Sequence, residues 1–241
     1  MPMIIAMAVR IIRMCGRFTI GEVKDLITRF SIDAPIADMP RPRYNLAPTQ
    51  EAPVVVRGSN RLVMMRWGLI PFWAKDPKIG SRMINARAEG VAERPAFRAS
   101  LKDRRCLVPT TGFYEWKSAT DGKTPYLARV KDERLFAMAG LYDRWRGPSG
   151  EEVQSFTIIT TAANELMSDI HDRMPVVLSR EDEGTWLAPG PLERATRERI
   201  FAPFPSERME AFPVSKAVND ISKDSEELVR PLRRAGTAKW F

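Results

Sequence analysis

The chain has 241 residues, 44% of them hydrophobic, which is enough for one large domain or two small ones around a real core. Lys+Arg 38 against Asp+Glu 30 gives a net charge of +8 and a pI near 9.8, a balance that suits a polyanionic partner such as nucleic acid. Two cysteines, Cys15 and Cys106, exclude a disulfide framework and a zinc site, and the apolar run from Met3 to Val9 stops at Arg10, too short for a membrane span or a secretory signal. A reduced, cytoplasmic chain is expected.

In chain order, Gly21 to Phe30 reads as a short amphipathic helix with Val23, Leu26, Ile27 and Phe30 on one face. The proline-rich stretch from Met39 to Pro48 is expected to be extended. Pro53 to Arg57 and Arg61 to Trp67 read as a hairpin around Gly58-Ser59-Asn60. Trp67 to Ala88 is an aromatic and basic loop, too broken by proline for a core element and too aromatic for a plain linker. Strands are expected at Cys106 to Pro109, Gly112 to Lys117, Pro125 to Lys131, Arg134 to Tyr142, Gln154 to Thr161 and Val176 to Leu178. Turn signals fall at Asp121-Gly122 and Lys131-Asp132-Glu133, a helical turn at Asn164 to Asp169, and helices at Arg180 to Leu187 and Leu192 to Phe201. Many short strands with few helices predict a single α+β domain on a curved, barrel-like antiparallel or mixed sheet with flanking short helices.

Four residues are candidates for chemistry. Cys15, in Met14-Cys15-Gly16-Arg17-Phe18, becomes the first residue if translation starts at Met14 and methionine is trimmed, or if the chain is cut after Met14. An N-terminal cysteine offers an amine and a thiol, titrating at about 8 and about 8.5, on adjacent carbons. That pair condenses with an aldehyde to an imine and closes to a thiazolidine. The competing reading is a small buried hydrophobe. His171, the only histidine, lies in Asp169-Ile-His-Asp-Arg-Met-Pro175 and is read either as an acid–base group or as a hydrogen-bonded loop residue. Glu115, among the aromatics of Gly112-Phe-Tyr-Glu-Trp116, is either buried with a raised pKa or exposed on alternate strand positions. Asn85, in Ile84-Asn-Ala-Arg-Ala88, can donate to a reacting oxygen, while Asn45 can organise a turn. Arg17, Arg66, Arg82 and Arg87 share their neighbourhoods with Trp67, Phe72 and Trp73, a mixture that fits single-stranded nucleic acid or a core with a solvated basic face.

Eight blocks occur in order: MCGRF, RYNLAPTQ, RWGLIPFWA, INARAE, GFYEW, TTAAN, DIHDRMP and PVSKAVND. From Met14 to about Asn219 the chain resembles the SOS response-associated peptidase (SRAP), or abasic-site-processing, family. That resemblance implies a protein that binds single-stranded DNA and links covalently to an abasic site. Cys15 is then the nucleophile, Asn85 fixes the linkage, Glu115 shuttles protons during sugar ring opening and cysteine attack, and His171 assists Schiff-base formation and its resolution. Arg17, Asn45, Trp73, Arg82, Arg87, Thr161, Ser215 and Lys216 would hold the strand.

The resemblance further implies no metal or organic cofactor, a monomer in the nucleoid, replication-fork partners, leader removal by autoproteolysis and a weak lyase side activity. The implied organisation is a leader at 1–13 absent from the mature protein, a catalytic and DNA-binding domain at 14–222, and a basic tail at 223–241, for which disorder and added phosphate contacts are both open. Of the two routes to a free Cys15, a start at Met14 is preferred. Two rivals stand beside this: a thiol peptidase using Cys15, His171 and Glu115, and a non-catalytic binder of modified nucleic acid that needs Arg87 and not Cys15.

Overall fold

The computed structural model describes residues 15–21, 24–33, 40–57, 61–120 and 122–232. The leader, Val23, Met39, the Gly58-Ser59-Asn60 turn, Asp121 and residues 233–241 lie outside the described residues.

Runs of β-branched and aromatic residues favour strands. Those described are β1 (Arg17–Ile20), β2 (Arg43–Leu46), β3 (Glu51–Val56), β4 (Leu62–Trp67), β5 (Asn85–Arg87), β6 (Arg105–Thr110), β7 (Gly112–Ala119), β8 (Gly122–Val130), β9 (Phe136–Arg146), β10 (Glu152–Ala162), β11 (Arg173–Pro175), β12 (Val177–Leu178) and β13 (Met209–Pro213). The helices are short: α1 (Lys24–Phe30), α2 (Arg98–Asp103), α3 (Glu165–Ser168), α4 (Arg180–Leu187) and α5 (Arg194–Ile200). The α+β expectation holds. β1, β5, α2, β11 and β13 add to the expected elements; two are three-residue strands and α2 has no side-chain cap, so periodicity and capping carried little signal. α4, expected as an amphipathic segment, is found with Ser179 accepting from the Asp182 N–H ahead of an acidic first turn.

Strands β3, β4, β10, β9 and β6 close on one another into a mixed barrel in which only β4–β10 is parallel. A second, antiparallel sheet runs in the order β13-β8-β7-β1-β2. Alternation along the barrel strands splits their side chains between two layers. Val54, Met65, Trp67, Val108, Met138, Phe156 and Ile158 join Phe18, Ile20, Leu46 and Phe113 of the second sheet, where the Phe18 and Trp67 rings meet edge to face at 5.0 Å. Val55, Leu107, Ala139, Leu141 and Ile159 face the other way, onto Leu101 of α2, Trp186 of α4 and Ile200 of α5. Arg105 ties that helical layer to the barrel by donating to the Leu101, Lys102, Trp186, Ala188 and Gly190 carbonyls.

The 67–88 segment, expected to lie outside the core, is anchored in it: Trp67, Leu69, Ile70, Ile84 and Ala86 are buried. The chain beyond β13 is also bound down. Asp224 accepts from the Tyr44 and Asn45 N–H groups at 2.6 and 3.0 Å and from Arg43, and the Leu232 N–H donates to the Pro213 carbonyl at 2.9 Å. The chain from 223 to 232 is therefore fastened to the second sheet.

Candidate active site

Strand β10 outruns the barrel, and its far end organises one side of the site. Thr160 pairs with Arg87 of β5 on one edge and with Pro175 of β11 on the other. β5 thereby sets Asn85 beside Ile158, and β11 fixes the loop carrying His171. The second sheet supplies the other side. Arg17 of β1 pairs with Tyr114 of β7, so Cys15, just before β1, and Glu115 fall in one corner.

In that corner Asn85 Nδ2 donates to the Cys15 carbonyl at 2.8 Å. Cys15 is fully buried, and burial first, then the charge of Glu115, push its thiol well above the ordinary value, against a hydrogen bond from the Arg17 backbone. Glu115 is 2% exposed, which decides its two readings in favour of burial. Desolvation, and next the charge of Asp172, raise its carboxyl well above the usual range; Lys123 and a backbone hydrogen bond to Trp116 oppose them weakly. Glu115 Oε1 and Asn85 Oδ1 are buried without a protein partner, as is Thr157 Oγ1 on β10. An unpaired buried polar atom costs about 1–3 kcal/mol, and two such atoms stand beside one cysteine. A buried carboxyl with a raised pKa, next to a thiol and an amide donor, can give a proton to a departing oxygen and take one from an incoming nucleophile.

His171 is partly buried. Its Nδ1 accepts from the Arg173 N–H at 3.1 Å and lies 3.2 Å from Asp172 Oδ1. The same Nδ1 also lies 3.2 Å from the Arg173 carbonyl oxygen, so the ring is held by its own loop. No hydrogen bond joins His171 to Cys15 among the described residues. Arg173 anchors the loop, its guanidinium paired with both oxygens of Glu89 and donating to the Thr160 carbonyl at 2.6 Å. The Arg173 bond lowers the Glu89 pKa.

The residues expected to hold a strand fall into three places. Arg17 is half-buried, which lowers its pKa, and its Nη1 donates to Asn45 Oδ1 at 2.7 Å and to the Val218 carbonyl at 2.8 Å. Lys216 is exposed beside it, while the Ser215 hydroxyl accepts from the Ala217 N–H at 3.2 Å. Arg87 is exposed and Thr161 is buried at the end of β10; Arg82 and Trp73 are exposed on the 67–88 segment. Asn45 is a correction. It has no exposed surface, and its amide donates to the Val218, Asp220 and Lys223 carbonyls, so it anchors the C-terminal strap and does not face a ligand.

Sequence reading missed Asp172 as the neighbour that raises Glu115, Thr157, and the Glu89–Arg173 pair, although Asp172, Glu89 and Arg173 lie inside recognisable blocks. Two surface clefts of about 500 and 580 Å³ lie elsewhere, on the Arg129–Glu210 face and around Arg41 and Met64, so cleft volume does not point to the site. Among the described residues no group of His, Cys, Asp or Glu is placed to hold a metal, and no helix is long and apolar enough to cross a membrane.

The model of the family described as SOS response associated peptidase (SRAP) matches residues 14–221. The chain belongs to the SRAP family. It is 46% identical over 222 residues to the abasic site processing protein YoqW of Bacillus subtilis, covering 90% of this chain and 99% of YoqW. It is 33% identical over 231 residues to the mouse abasic site processing protein HMCES, covering 79% of this chain and 65% of HMCES. A crystal structure of a Bacteroides thetaiotaomicron protein superposes with a TM-score of 0.82 at 31% identity, covering 91% of this SRAP chain and all of that one. The cysteine, asparagine, glutamate and histidine of the site all lie inside the matched span.

Proposed function

We propose that this SRAP protein captures abasic sites in single-stranded DNA through Cys15 once its α-amine is free. The observation that carries the proposal is the corner itself: a cysteine held through its carbonyl by Asn85, beside a buried carboxyl whose Oε1 has no partner. The names of its relatives and the excess of basic residues agree with a DNA substrate.

The neutral amine of Cys15 attacks the aldehyde of the ring-opened sugar and gives a carbinolamine. Protonated Glu115 gives its proton to the departing hydroxyl, so water leaves and the imine forms. The Cys15 thiol then adds to the imine carbon; its proton passes to the Glu115 carboxylate and the ring nitrogen keeps the other. The product is a thiazolidine, equal to aldehyde plus cysteine less one water, and Glu115 returns to its starting state. Asn85 holds the Cys15 backbone still, which keeps the thiol in attack geometry. His171 serves the imine step and its reversal. Arg17, Arg87, Lys216 and Trp73 hold the strand, by phosphate contact and stacking. The imine also permits elimination at the sugar, a weak lyase activity.

The thiol peptidase reading is weaker. A peptidase thiol is activated by a lowered pKa, whereas burial and Glu115 raise that of Cys15, and His171 is bonded to its own loop.

Protein beginning at Cys15 is mixed with a single-stranded oligonucleotide carrying one abasic site and run on a denaturing gel. The expected result is a shifted band that survives denaturation, absent with undamaged oligonucleotide and absent with Cys15→Ala. No shifted band, with the free N-terminus verified by intact mass, would overturn the proposal.

A further inference from the structure

Past Asn85 and exposed Arg87 the chain turns once through Ala88–Gly90 and runs into α2. Arg94, Arg98 and Lys102 stand four residues apart on the way, all of them exposed. Arg94 leads in, its carbonyl accepting from the Phe97 and Arg98 N–H groups at 2.9 and 3.0 Å. Residues four apart fall on one side of a helix, about 6 Å apart along its axis. That interval is close to the step between successive phosphates of a nucleic-acid strand.

The stripe sits on a fixed support. Phe97 and Leu101 are buried in the helical layer, and buried Arg105 donates to the Leu101 and Lys102 carbonyls at 2.7 and 2.9 Å. Its charges are uncommitted. Among the described residues no carboxylate pairs with Arg94, Arg98 or Lys102, whereas Arg29, Arg43, Arg104 and Arg173 each hold one. The stripe also begins beside the site. Arg94 Nε lies 3.6 Å from where a Cβ on Gly90 would stand; Glu93 Oε2, 4.0 Å from the same point, makes no ion pair with it. The residue before Gly90 is Glu89, whose charge is taken up by Arg173 of the His171 loop.

We infer that Arg94, Arg98 and Lys102 form a phosphate track along which a DNA strand continues past the capture site. This rests on the reading that the chain holds single-stranded DNA. Free cations on a fixed backbone attract phosphates whatever the sequence, and each phosphate they neutralise releases counterions. An acidic protein would meet the same charges, but continuity with Arg87 favours the strand placed there.

The test is fluorescence anisotropy of undamaged single-stranded oligonucleotides of increasing length, each titrated over a range of salt. The variant carries Arg94→Gln, Arg98→Gln and Lys102→Gln. A control carries Arg134→Gln, Arg180→Gln and Arg194→Gln, the same loss of charge at exposed positions elsewhere. On the longest oligonucleotide the variant is expected to bind about tenfold or more weakly, with a salt slope lower by about 2. On the shortest oligonucleotide that binds, it should match the parent within about twofold. Unchanged melting temperatures keep folding out of the comparison. Parent-like affinity and slope on the longest oligonucleotide would overturn the inference, as would an equal loss in the control or on the shortest. Unchanged DNA binding with lost binding of polyglutamate would assign the stripe to an acidic protein instead. A parent that binds no oligonucleotide would overturn the DNA reading and the inference together. None of the oligonucleotides carries an aldehyde, so failure of Cys15 capture would leave a positive result standing.

Discussion

Two polar clusters, one within the second sheet around Asn45 and one where that sheet meets the barrel around Cys15, are built on opposite terms. Around Asn45 the side-chain amide and carboxylate are paired: the Asn45 amide meets three carbonyls and Arg17, and Asp224 takes two backbone N–H groups and Arg43. Around Cys15, Glu115 Oε1 and Asn85 Oδ1 have no partner. Asn45 is as buried as Cys15 and Glu115, although its partners Arg17, Arg43 and Asp224 are only partly so; what differs is satisfaction. Native proteins pair nearly all their buried polar groups; the satisfied cluster holds the chain, and the unsatisfied one is where the proposed capture of an abasic site is placed.

Changing each cluster by one group separates stability from rate. Glu115→Gln keeps the shape and removes the proton carrier. Single-turnover capture of an abasic oligonucleotide is expected to slow by about 10²- to 10⁴-fold, with the melting temperature at pH 7 unchanged or higher. Asn45→Ala does the reverse. It strands buried carbonyls and loosens Arg17, for a loss of about 3 kcal/mol and a drop of roughly 6–12 °C in melting temperature. Its capture rate at saturating DNA should stay far closer to the parent than that of Glu115→Gln.

Gly80→Ala presses a methyl against the Gly68 carbonyl oxygen and, at 2.9 Å, against Ile70. About 1–3 kcal/mol of stability should be lost in thermal melts, together with affinity for single-stranded DNA, because Trp73 and Asn85 shift with the segment.

The pH dependence follows from the sign of the Glu115 shift. Its folded pKa lies above the ordinary 4.5. The stability tied to its protonated form is therefore complete below the unfolded value of about 4.3 and is lost as pH rises through the folded value. Melting temperatures of the parent and Glu115→Gln should diverge as pH climbs above about 4.5, with the parent falling faster. The smallest expected effect is Glu89→Ala. Glu89 is mostly exposed, so the loss of stability should be about 1 kcal/mol or less. Affinity for DNA should still change, since Arg173 and the His171 loop lose a tether.

Much of this was legible in the chain. Long β-branched runs such as β10 and the amphipathic segment at α4 declared themselves, and the aromatic surroundings of Glu115 made burial a readable option. Asn45 was not legible, because an asparagine that touches DNA and one that ties down a strap look alike until partners 170 and more residues away are in place. The 67–88 segment was misread as lying outside the core because prolines break its pattern. Asp143, Trp145 and Ser155, far along the sequence, are what fasten it.

The most direct test of the account is the intact mass of the adduct between protein beginning at Cys15 and an oligonucleotide with one abasic site, taken before and after borohydride. A closed thiazolidine predicts the sum of the two components less one water, with no gain of hydrogen on reduction. An adduct that gains hydrogen on reduction would leave the thiol out of the linkage. An adduct on a lysine, or none at all, would contradict the role of Cys15 altogether.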